Sequence, residues 1–178
     1  MILGLMSDTH GFVTEMRRVA SLMIEKYHAD LIIHLGDEST DADDLKNFDI
    51  NVISVPGIYE DRYKNRDIPN RIIKVFDEIP FLLTHSPIST HNDLSDDIDP
   101  TETAKNGDTK VVLYGHTHQP LVSEKNGAIY INPGHLKIDD RRGDPPTFGI
   151  IEIKNNKLDI RIIDLNGDVL IEKRIVVD

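Results

Sequence analysis

The 178-residue sequence contains no cysteine. Disulfides are therefore excluded, and so is any metal site built on thiolate, which leaves imidazole and oxygen donors for any ion the chain binds. Long apolar runs are also missing. None approaches the ~20 residues that a helix needs to cross a bilayer, so no membrane span is expected. Positive charge is scarce, with 20 Lys and Arg against 31 Asp and Glu and a formal net charge of −11. Extensive nucleic-acid binding relies on many cationic contacts to phosphate, and this balance argues against it. A small anionic substrate is still allowed, because bound divalent cations would dominate the field within a Debye length, ~8 Å at physiological salt. Internal repeats, linkers and low-complexity tracts are absent. The opening MILGLMSDTHG lacks a basic leader and meets an aspartate and a histidine at once. It reads as a first strand rather than a signal peptide, and a cytoplasmic location is the default expectation.

What the chain does have is the length and the 39% hydrophobic content of one globular domain, expected over residues 1–178. Ile2 to Met6 reads as a strand, and Met16, Val19, Ala20, Met23, Ile24 and Tyr27 then recur at helical spacing. Asp30 to Gly36 is a second buried strand, Asp41 to Phe48 a short helix and Asn51 to Val55 a third strand. Alternation of this kind implies parallel strands with helical crossovers. The pattern then changes. Ile72 to Phe76 and Phe81 to Thr84 flank "DEIP" as a hairpin, and 86–108 is polar and acidic, with the aspartates of His91 to Pro100 most simply in a solvated loop. Strands at Val111 to Tyr114, Ala128 to Asn132 and Phe148 to Ile153 follow with only turns between them. Asn155-Asn156 and Asn166-Gly167 mark the tight turns of a hairpin-like ending. The expected fold is α/β, a layered α/β/β/α sandwich of two mixed sheets with flanking helices.

Polar residues able to hold a metal recur where the apolar strands end. Asp8 and His10 follow the first, Asp37 the second, His85 the strand at 81–84, and His116 and His118 the run "VVLYGHTH". Strand ends in such sheets face one crevice, so distant segments can converge there. On a backbone extended past Gly115, alternate side chains would bring both histidines of that run to one face. The donors number two carboxylates and four imidazoles. That exceeds one ion's ordinary need and suits two ions sharing a bridge, for which a carboxylate with two oxygens is apt. Asp37 lies between the others in chain order, and Gly36 before it permits close backbone approach.

The blocks "SDTHG" (7–11), "HLGD" (34–37), "VPGIYED" (55–61), "THS" (84–86), "GHTH" (115–118) and "NPG" (132–134), in this order, resemble the calcineurin-like metallophosphoesterases. The likeness is strongest to their small single-domain bacterial and archaeal phosphodiesterase branch and spans nearly the whole chain. It implies hydrolysis of a small phosphorylated substrate, more readily a phosphodiester than a monoester, by a hydroxide bridging two divalent ions (Mn, Ni, Fe, Zn or Mg). It assigns Asp8, His10, Asp37 and His118 to one ion and Asp37, His85 and His116 to the other, with Asp37, His85 and His116 also expected in catalysis. Relatives are often homodimers, although no interface signature is visible here. A relative in the eukaryotic retromer coat uses the same fold as a protein-binding module, which sets a non-catalytic or weakly active scaffold as the alternative.

The third block departs from the family. Where Gly-Asn is usual, this chain has Gly57-Ile58, and isoleucine has no donor atom. Glu60, with its longer arm, is the expected replacement ligand, with water as the competing occupant. Tyr59 stands where some relatives place an acid for the leaving oxygen, and it is a candidate catalytic or substrate-edge residue. His135, after "NPG", is a candidate pocket residue. His34 is expected to be structural, as are His28 and His91. Arg141 and Arg142 are candidate phosphate contacts in a segment, "DDRRGD", whose simpler reading is a solvated loop.

Overall fold

The computed structural model describes residues 1–177. Eleven strands form two mixed sheets. In the first, β1 (Ile2–Met6), β2 (Leu31–His34) and β3 (Asn51–Ser54) are parallel, and β9 (Thr147–Lys154), β10 (Lys157–Asp164) and β11 (Val169–Val176) extend it antiparallel in the order β11-β10-β9-β1-β2-β3. The second has the order β4-β5-β6-β8-β7. Its strands are β4 (Arg71–Phe76), β5 (Ile79–Thr84), β6 (Val111–Leu113), β7 (Leu121–Lys125) and β8 (Ala128–Asn132), with β5, β6 and β8 parallel.

Strand alternation builds the layers. Leu3 and Leu5 of β1 and Leu31 and Ile33 of β2 point between the sheets, where they meet Phe81, Leu83, Val111, Leu113, Ile129 and Ile131 in one buried cluster. Their neighbours Met6 and Ile32 face outward and are covered by Met16, Val19, Ala20 and Met23 of helix α1 (Val13–Glu25). On the far side, Leu82, Val112 and Tyr130 pack against Ala104 of the short helix α2 (Pro100–Lys105). The arrangement is the expected α/β/β/α sandwich. Each fully buried Leu, Ile or Phe contributes ~1.5–3 kcal/mol relative to exposure, so the inter-sheet layer carries most of the hydrophobic stabilisation.

The structure corrects three expectations. First, the segment between β6 and β8 holds a further strand, β7, whose sequence LVSEK is polar because it lies at the sheet edge and buries only Val122. Second, the acidic stretch 86–108 is an organised loop. The buried guanidinium of Arg71 donates to Asp93 at 2.9 Å and to the Ile98 carbonyl at 2.7 Å, and Tyr63 donates to Asp93 at 2.8 Å. Asp99 then caps α2 by accepting the Thr101 and Glu102 amides, with Pro100 at the first helical position. Third, the β4–β5 turn is tighter than "DEIP" suggested. Asp77 and Glu78 alone form it, both with positive φ, and β5 begins at Ile79.

Leu113 is fully enclosed between the sheets, whereas Val75 on edge strand β4 is 64% exposed. Leu113→Ala is expected to cost ~2–5 kcal/mol in denaturant unfolding, and Val75→Ala no more than about 0.5 kcal/mol. Equal losses would mean that the inter-sheet layer is not the core.

Candidate metal centre

The segments that follow β1, β2, β5 and β6 meet at one end of the sandwich, although the two sheets contribute different strands. The donors reach the site through turns. Asp8, His10, Asp37, His116 and His118 all have positive φ, between 47° and 67°. Non-glycine residues seldom adopt this left-handed region, and each instance costs of order 1–3 kcal/mol unless its surroundings enforce it. The expectation that His116 and His118 converge by strand alternation is therefore corrected. β6 ends at Leu113, and a tight turn, with the Thr117 amide donating to the Gly115 carbonyl at 2.7 Å, aims the two imidazoles at different groups of donors.

Asp8, His10, Asp37 and His118 place one ligand atom each within 4.8 Å of one another, and Asp37, His85 and His116 form a second such group. Asp37 belongs to both, and its two oxygens divide between them. Oδ2 lies 3.7 Å from His10 Nε2, whereas Oδ1 lies 3.3 Å from His85 Nε2. In the first group His118 Nε2 is 3.1 Å from His10 Nε2 and 3.2 Å from Asp8 Oδ1. Donors held ~2.1 Å from a common ion sit roughly 3 Å apart, so these separations suit ions between them.

Two buried atoms make the same point. Asp8 Oδ1 and His85 Nε2 have no hydrogen-bond partner, although buried polar atoms almost always find one. Their sister atoms are committed. Asp8 Oδ2 accepts from the Ser7 hydroxyl at 2.6 Å and the His116 amide at 3.0 Å, and His85 Nδ1 donates to the Leu35 carbonyl at 2.7 Å. That donation fixes the tautomer and leaves the Nε2 lone pair directed at Asp37. The donor set fits divalent ions. Two glycines make the gathering possible: a Cβ on Gly57 would lie 2.1 Å from Asp37 Oδ1, and one on Gly115 would lie 1.9 Å from the Ser7 hydroxyl.

Charge follows the geometry. Burial raises the Asp37 carboxyl, but the adjoining His85, His10 and His116 imidazoles outweigh it and hold it below the ordinary value. Burial alone would lower the His85 imidazole, and the Asp37 and Asp8 carboxylates more than offset that. His116 is lowered by burial, then by His85.

The chain belongs to the calcineurin-like phosphoesterase superfamily. The model of that superfamily's domain matches residues 1–156. A phosphodiesterase of Methanocaldococcus jannaschii is 26% identical, over 75% of this chain and 83% of the relative. Among solved structures, a novel archaeal phosphodiesterase superposes with a TM-score of 0.70 at 24% identity, over 92% of this chain and 100% of that one. The vacuolar protein sorting 29 of Entamoeba histolytica, crystallised with zinc, has a TM-score of 0.67 at 18% identity over 98% of both chains. The same fold thus serves proteins named for hydrolysis and a protein named for vacuolar sorting.

Ile58 is buried and offers nothing but its carbonyl, which accepts from the Asn92 amide at 3.0 Å. Glu60 is not among the gathered donors. Its Oε1 accepts the Gly57 amide at 2.6 Å and the Ser39 amide at 3.0 Å, and its Oε2 accepts the Ser39 hydroxyl at 2.5 Å. The carboxylate expected to replace the asparagine thus braces the turn that presses Gly57 on Asp37. Tyr59 is exposed above the site, its ring 6.3 Å from that of His116, and shares with His10, Asp37, Glu38, Thr40 and Arg62 a cavity of about 460 Å³.

Asp140 was missed, whereas Arg142 and His135 were already candidates. Asp140, in "DDRRGD", is almost buried and contacts His118 Nδ1 with its Oδ2, so the segment is not a free loop. Arg142 donates to the His116 carbonyl at 3.3 Å. His135 is buried and stacks on His118, ring centres 4.9 Å apart. His34 is structural, as expected. Its Nδ1 accepts the Gly36 amide, its Nε2 donates to Thr9, and Thr9 donates onward to Asp41 at 2.7 Å. Only the unusual density of Asp around 37–44 and 139–144 hinted at these partners.

Burial pushes His34 down to about 4, partly offset by Asp41 and Asp8. The unfolded chain takes a proton on this ring below pH 6.5, while the folded chain resists until about pH 4. The stability due to neutral His34 is thus complete above pH 6.5 and lost as the pH falls toward 4. Between pH 7 and 4.5, metal-free wild type is expected to lose about 2–3 kcal/mol more than His34→Gln in urea unfolding. Parallel losses in the two proteins would remove His34 from the account.

Proposed function

We propose that the chain is a metal-dependent phosphoesterase acting on a small phosphodiester, with Asp8, His10, Asp37 and His118 holding one divalent ion and Asp37, His85 and His116 a second. The observation that carries the reading is the division of the Asp37 carboxylate, one oxygen toward each group of imidazoles. The phosphodiesterase named among its relatives supports the substrate class. When bound, the ions supply Lewis acidity toward phosphoryl oxygens and an activated water at neutral pH.

The protein's own contribution is to aim and hold donors. Leu35 and Ser7 fix His85 and Asp8 so that their free atoms face the centre. Arg142, over half exposed and held at the His116 carbonyl, sets a cation beside the site in a protein that is otherwise strongly acidic. It suits a non-bridging phosphate oxygen, as a planar guanidinium does. Tyr59 stands at the mouth of the cavity, where a leaving group would lie and where its hydroxyl could contact the departing oxygen.

Hydrolysis of bis(p-nitrophenyl) phosphate with Mn²⁺, Ni²⁺, Mg²⁺ or Zn²⁺ tests the reading. Asp37→Ala, correctly folded, is expected to lose roughly a thousandfold or more, since removing a shared ligand forfeits several kcal/mol of charge stabilisation at both ions. His28→Ala is expected to retain wild-type turnover. Normal turnover in Asp37→Ala would refute a shared-carboxylate centre.

The two ions are expected to differ in affinity. One group offers four side chains, the other three, with Ile58 where an amide oxygen would complete it. Calorimetric titration of metal-free protein is expected to resolve a tight and a weaker site, and Ile58→Asn to tighten the weaker one. Two equally tight sites in the wild type would contradict this. The same gap favours a second reading, a metal-binding scaffold in a protein whose fold matches a vacuolar sorting protein. Metal uptake without hydrolysis under any of the four ions would favour it.

A further inference from the structure

His118 is held on three sides, by donors of the first ion's set on one and by groups outside that set on the other two. Its Nε2 faces Asp8 Oδ1 and His10 Nε2, while its Nδ1 contacts Asp140 Oδ2. Asp140 is itself fixed, because its Oδ1 accepts the Arg142 amide at 3.1 Å and little of its side chain reaches solvent. The third neighbour is His135, buried, stacked on the His118 ring at an interplanar angle of 29° and donating from its own Nε2 to the Asp144 carbonyl at 3.2 Å. Nδ1 of His118 contacts Oδ2 of Asp140, and the contact is a hydrogen bond donated by the ring.

We propose that Asp140 is a positioning residue for the metal ligand His118. By accepting the Nδ1–H it dictates the tautomer, so the lone pair of Nε2 points at Asp8 and His10, and its negative charge makes that nitrogen a stronger donor. His135 holds the ring plane from the other face. The inference deepens the two-ion reading above and rests on it. It also explains why a segment rich in charge, 139–144, folds back over the centre.

Metal-free protein is titrated with Zn²⁺ in competition with a chromophoric chelator, so that affinity is read apart from activity. Asp140→Ala is expected to weaken one of the two sites about 10–100-fold and leave the other as in the wild type. Asp140→Asn, which can still accept the Nδ1–H through its amide oxygen, is expected to fall between, and it serves alone if the alanine variant does not fold. Asp139→Asn, which removes the same charge from the exposed neighbouring residue, is expected to bind as the wild type does. In a His118→Ala background, Asp140→Asn is expected to cost nothing further, since it acts through that ring.

Wild-type affinity in both Asp140 variants would overturn the proposal, and so would an equal loss in Asp139→Asn or additive losses with His118→Ala. A third zinc in the wild type, lost in Asp140→Asn, would assign His118, His135 and Asp140 to an ion of their own and overturn it too. Failure of the wild type to take up any zinc would instead remove the centre beneath it.

Discussion

Left-handed backbone at the donors is the constraint on which the rest of this structure depends. Asp8, His10, Asp37, His116 and His118 all adopt it, and none is a glycine. At of order 1–3 kcal/mol each, the strain in these turns is comparable with the net stability of an ordinary domain. It persists because each turn is anchored at both ends. Upstream lie strands packed into the inter-sheet core, and downstream lie hydrogen bonds such as those from Gly11 and Thr9 to Asp41.

Glu60 illustrates how such anchoring uses up a side chain. Its carboxylate accepts three hydrogen bonds from Gly57 and Ser39, and these hold together the turns after β2 and β3. A carboxylate so satisfied would have to give up those bonds to reach an ion. The turn beside Asp37 would then lose its support. Ile58 contributes to the same packing through burial rather than ligation. The third block is therefore built here as a brace, and the centre is correspondingly poorer in donors on that side.

The layered fold was legible because its signals were periodic: apolar strands at 2–6, 31–34, 81–84 and 111–113, and a helix with Met16, Val19, Ala20 and Met23 on one face. The members of the two donor groups were also legible, since each lies a few residues at most beyond a strand end and the blocks resemble a known family. The route by which they converge was not. Strand alternation predicted one face for His116 and His118, whereas the turn after β6 sends them to separate groups. Edge strand β7 was hidden by its polarity. Asp140, Asp93 and Asp99 were hidden for a different reason: carboxylates in acidic loops look solvated until their partners, His118, Arg71 and the first turn of α2, are placed in space.

The centre straddles the two sheets, with Asp8 and Asp37 carried by β1 and β2 and His85, His116 and His118 by β5 and β6. Sheet separation is thus a dimension of the site itself. The layer of Leu3, Leu5, Phe81, Leu83 and Leu113 acts as a spacer whose thickness sets the gap across which carboxylates meet imidazoles. A close-packed interior yields little to compression, so the gauge is stiff. Added bulk at Leu5 or Leu83 would wedge the sheets apart and detune the centre from a distance, without altering any group that touches an ion.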